Sequence, residues 1–110
     1  MIQETIERIE ARLHGAENLP PEKRAELLQL VAALKSEVEA LSKTHQEEAQ
    51  SIAGFTHLST QEATRTEVNP RLLKHSLAGL AVSAEDFKES HPRLVQAVNS
   101  ICTTLANLGI

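Results

Sequence analysis

A chain of 110 residues with two Phe, no Trp or Tyr, four Gly and four Pro reads as one domain of helices packed on helices, because aromatics usually fill sheet faces and thicker cores. A formal charge of −4 with no cluster of Lys and Arg argues against nucleic acid as a partner, since affinity for phosphate backbones comes from clustered cations. The single cysteine, Cys102, excludes an internal disulfide framework and fits a reducing cytoplasm. No apolar run nears the roughly 20 residues that a membrane span needs, and the mixed charges of MIQETIERIEARL are unlike a secretory leader.

The first predicted helix covers about residues 2–14. Ile2, Ile6, Ile9 and Leu13 recur in steps of four and three, and Gly15 opens the turn GAENLPP. Thirteen or so residues are too few for a stable isolated helix, so this one must dock on another element. A second helix opens at Pro21, where proline costs least, and its seam runs Leu27, Val31, Leu34, Val38, Leu41. The same spacing continues weakly through His45, Glu48, Ile52 and Phe55. With no proline and only Gly54 as a weak point, the polar stretch to about residue 66 is expected to stay helical. Thr56, Thr60 and Thr64 form one column there, read as small side chains on a helix surface or contact rather than as a ligand-facing row of hydroxyls.

Asn69-Pro70 is the sharpest boundary, an N-cap followed by the proline that begins a helix. The predicted third helix covers about 70–108, with Gly109 closing it. Leu73, Leu77, Leu80, Ala84, Phe87, His91, Leu94, Val98, Ile101, Leu105 and Leu108 make its seam. Pro92 lies inside and removes one backbone bond, yet the seam keeps its frame. The expectation is therefore a kinked continuous helix; the alternative is two helices with Ser83 or Ser90 as a fresh cap.

Closing the two long helices at Asn69-Pro70 brings Leu58 opposite Ala78, Ile52 opposite Ala84, Leu41 opposite Val95, Val38 opposite Val98, Leu34 opposite Cys102 and Val31 opposite Leu105. Leu27 then ends near Leu108 and Gly109. The expected fold is all-α: a short N-terminal helix on a coiled-coil-like antiparallel hairpin roughly 60 Å long. Such a rod leaves apolar faces wet, so self-association into a four-helix core, most simply a two-fold dimer, is expected.

Candidate chemistry is sparse. Five histidines (His14, His45, His57, His75, His91) lack the Glu-x-x-His spacing of bundle metal sites. The pairing places His45 level with His91, which suggests a polar layer fixing register, sensitive to acid if both are buried. Cys102 reads as a packing residue, Glu47, Glu48, Glu85 and Asp86 as solvated surface, and the isolated glycines form no phosphate loop. No catalytic, cofactor or metal residue is assigned. Phe87, His91-Pro92-Arg93-Leu94, Val98-Asn99 and the ending Leu105-Ala106-Asn107-Leu108-Gly109-Ile110 resemble a small bacterial family, the domain of unknown function 4404 family. LPPEKRAEL (19–27) and SIAGFTHLSTQEATRTE (51–67) are similar to longer members of it. The resemblance implies a small bacterial helical protein and supplies no site residues. The leading functional expectation is a non-enzymatic cytoplasmic interaction or scaffold module, offering its exposed polar mid-section (45–66) to a protein partner. The alternative is a bundle that binds a small ligand or metal at the His45/His91 level.

Overall fold

The four-three spacing of apolar residues produces five helices: α1 (Ile2–Gly15), α2 (Pro21–Ser42), α3 (Gln46–Ala63), α4 (Pro70–Glu85) and α5 (Pro92–Leu108). A computed structural model describes residues 1–108, so the expected stop at Gly109 lies outside the described residues. No helix among these residues is long and apolar enough to cross a membrane. The all-α expectation holds, but the two long helices do not. Each is a pair of shorter helices, and the hairpin is folded in half.

The helices at the expected turn form as the sequence requires. Asn69 caps α4, its Oδ1 accepting the N–H groups of Arg71 (3.1 Å) and Leu72 (3.2 Å), and Pro70 takes the first helical position. Helix α3 ends at Ala63, short of residue 66. Arg12 reaches its last turn from α1: Nε donates to Thr64 Oγ1 at 2.8 Å, and Nη2 lies 3.4 Å from the carbonyls of Gln61 and Thr64. Arg24 does the same for α1, donating to the carbonyls of Leu13 (3.0 Å) and Ala16 (2.6 Å). Charged donors thus satisfy carbonyls that helix ends leave orphaned.

The two breaks lie at one level of the hairpin. After Ser42 the backbone tightens, with Thr44 N–H on the Leu41 carbonyl at 3.1 Å, and a single residue, His45 (φ −137°, ψ 66°), then leaves the helical region. The hydroxyls of Ser42 and Thr44 bond the carbonyls of Glu39 (2.7 Å) and Leu41 (3.4 Å), which offers the backbone an alternative to helix. Glu47 and Glu48 then occupy the first turn of α3, where the helix dipole favours acids. The second break spans 86–91. Pro92 begins a helix rather than kinking one, and neither Ser83 nor Ser90 caps it, since their hydroxyls bond the Leu80 carbonyl and His91 Nδ1.

Doubling back turns two long helices into a four-helix bundle within one chain. Helix α2 packs on α3 and α5, α4 packs on α3 and α5, and α2 and α4 sit diagonally apart. Helix α1 lies against α2 and α3 rather than on α5. The antiparallel direction of the hairpin survives this folding, but the α2/α5 register is shifted by about six residues from the expected Val38/Val98 and Val31/Leu105 pairs. In α2 and α5, Thr104 bonds Glu26 at 2.9 Å at one end, while Glu37 and Arg93 share a groove at the other. The molecule measures 37 × 24 × 21 Å, far short of the expected rod. Of the apolar residues near the turn expected to need a second copy, Leu73 and Leu80 are buried within the chain and Leu77 is half-buried, while Phe55 and Leu58 stay exposed.

Candidate functional site

Helix α3 touches all four other helices, so the polar mid-section is not the exposed surface expected of it. Its buried residues are mostly small: Ala49, Ala53, Thr56, Ser59, Thr60 and Ala63, with Ile52 and Glu62. Small side chains let several backbones approach one helix closely, and polar ones fit if their hydroxyls bond within the helix. Thr56, Thr60 and Thr64 do so, each donating to the carbonyl four residues earlier at 2.7–2.8 Å. This column is a helix contact, and Thr64 also accepts from Arg12. Glu62 is buried yet held by Arg65, whose Nη2 donates to Oε2 at 3.0 Å. The Ser59 hydroxyl is buried without a partner.

The His45/His91 level is a corner, not a buried polar layer. His45 is exposed and His91 half-buried, and the edges of the two rings meet the buried Phe87 ring at centroid distances of 5.3 and 5.8 Å. Nδ1 of each imidazole pairs with the hydroxyl just before it, Thr44 (2.8 Å) and Ser90 (2.9 Å). Among the described residues no three His, Cys, Asp or Glu side chains gather into a metal-holding group. His14 and His75 are exposed at separate places. The histidine whose titration the fold perturbs is His57, half-buried on α3. Burial, then the Arg8 and Arg12 guanidiniums of α1, lower its pKa below the ordinary 6.5.

Cys102 is half-buried, and its Sγ lies 3.8 Å from the Leu77 carbonyl of α4. Burial pushes its pKa up, which suppresses the thiolate that redox or nucleophilic chemistry requires.

The feature the sequence did not reveal is an apolar edge where α3 and α4 meet solvent. Phe55 and Leu58 on α3, with Leu72 and Val82 on α4, are exposed by 37, 42, 48 and 66%, on two helices that pack on each other. The Phe55 ring lies over Gly79, where a β-carbon would overlap it. Phe55 and Leu58 were visible as apolar residues near the turn; Leu72 and Val82 fall off the seam, and that displacement is the signal of an outward position. No protein-family model, curated protein or solved structure matches this chain.

Proposed function

We propose that this chain is a non-enzymatic interaction module of a bacterial cytoplasm, which docks a protein partner on the outer edge of α3 and α4 and itself assembles as an oligomer, a dimer being favoured. The observation that carries the reading is the exposure of Phe55, Leu58, Leu72 and Val82 on two helices that pack on each other; with Met1 they are the exposed large apolar side chains among the described residues. Kinship to the domain of unknown function 4404 family rests on the blocks quoted above and is consistent with a helical module. The test is capture from a native lysate by wild type and by Leu58→Ser/Leu72→Ser/Val82→Ser, whose three sites are exposed and whose helicity should persist. Loss of a specific captured protein with the variant supports the reading; identical capture by both proteins, or none by either, contradicts it.

A further inference from the structure

The two corners of the folded hairpin are built as hinges, and we propose that the chain exchanges halves with a second copy, forming a dimer of straightened hairpins. In the monomer, the pairs α2 with α5 and α3 with α4 belong to the hairpin itself and would survive straightening. The contacts of α3 with α1, α2 and α5, and of α4 with α5, exist only because the hairpin bends back. In the exchanged dimer the same contacts form between copies: α1 and α2 of one chain pack on α3 of the other. Each half of the dimer keeps the cross-section of the four-helix bundle.

Three observations carry this. First, the breaks at 43–45 and 86–91 lie at one level, meeting through the rings of His45, Phe87 and His91, so both open in a single motion. Second, Pro92 is the one residue at the corners whose chemistry favours the bend. Neither corner contains glycine, no described residue has a positive φ, and the residues after α2 and α4, Lys43 (φ −66°, ψ −28°) and Asp86 (φ −68°, ψ −13°), are still helical. Backbone bonds already run nearly through both breaks, from His45 N–H to the Leu41 carbonyl at 2.8 Å and from His91 N–H to the Phe87 carbonyl at 2.8 Å. Third, buried residues on either side of each corner fall on one helical face, Val38 and Leu41 with Ile52 and Ser59, and Leu80 and Ala84 with Leu94 and Val98, so a straight helix presents the same face as the bent one. Short connections between halves that can re-pair are the usual setting for exchange.

Pro92 sets the balance. In the monomer it stands at the first position of α5, where its ring suits the helix; in a straightened helix it would cost a backbone bond and clash with the preceding turn. The closed chain is therefore favoured at low concentration. Removing this bias by Pro92→Ala, with His45→Ala at the other corner, should raise the association constant of the dimer by roughly ten-thousandfold, about a hundredfold for each of its two chains.

The experiment measures mass in solution and the identity of the exchanged contacts. In a Cys102→Ser background, Thr5→Cys/Gln50→Cys spans a cross-fold contact of α1 on α3, where Gln50 Nε2 donates to Thr5 Oγ1 at 3.3 Å. Glu26→Cys/Thr104→Cys spans the hairpin pair α2 and α5, at 2.9 Å. Oxidised dimer fractions should give a covalent dimer with the first pair and single chains with the second. Dimers in which both pairs close within one chain would show docking without exchange and overturn the proposal. So would a folded Pro92→Ala/His45→Ala chain that stays monomeric at high micromolar concentration. Should that variant not fold, wild type refolded at high concentration gives the same readout, and a purely monomeric product overturns the proposal equally. The exchange uses none of Phe55, Leu58, Leu72 or Val82, so it and the docking edge can fail separately.

Discussion

The half of the bundle made by α2 and α5 and the half made by α3 and α4 solve the same packing problem with different side chains. The first is a ladder of large ones: Leu27, Val31, Leu34, Val38 and Leu41 facing Leu94, Val98, Ile101 and Leu105, nearly all inaccessible. The second buries Ala49, Ala53, Thr56, Ser59, Thr60, Ala63, Ser76 and Ala84 around only Ile52, Leu73 and Leu80. Its centre, α3, touches every other helix yet buries a single large apolar side chain, Ile52. A helix can therefore be central because it is thin. Hydrophobicity marks the first half as core, while only size marks the second.

If that contrast is right, truncation should hurt the first half and enlargement the second. Leu34→Ala, at a site with no accessible surface, is expected to cost about 2–5 kcal/mol, measured by denaturant unfolding. Ala53→Leu, equally inaccessible but on the crowded helix, should cost about 1–3 kcal/mol by overpacking; a neutral result would mean that α3 is not enclosed. Ser59→Ala deletes a buried hydroxyl that has no partner and should stabilise by about 1 kcal/mol.

The smallest effect is one of pH. Because folding lowers the pKa of His57, the unfolded chain takes up the proton first as pH falls below about 6.5, so this contribution is present above that pH and is lost on acidification toward the folded value. His57→Gln should flatten the fall in Tm between pH 7.5 and 5.5; an unchanged slope would put the acid sensitivity elsewhere. His45 and His91, which looked from the sequence like a buried pair, are too accessible for that role.

How much of this was legible follows the same division. The seam of α2 and α5, its antiparallel pairing, the Asn69 cap and the docking face of α1 could be read because large apolar residues and special backbone residues announce themselves. The break at 43–45 could not, since it contains neither glycine nor proline and the spacing of its seam continues, if weakly, through His45, Glu48 and Ile52. Its available signals were the paired hydroxyls of Ser42 and Thr44 and the acids Glu47 and Glu48, which mark a helix start. Missing it left one long rod, and a rod of that length seemed to require a second copy to cover it. Once both helices bend at the same level, the four-helix core forms from one chain. The uncovered residues then shrink to the edge around Phe55, and Leu72 and Val82 emerge there because they lie off the seam.

Native-state hydrogen exchange on the dilute wild-type protein tests most directly whether the polar-looking helix is the centre. Amides of 52–60 should exchange as slowly as those of 27–38, near the rate set by global unfolding. Exchange of 52–60 orders of magnitude faster than 27–38 would place α3 at the surface and contradict the account.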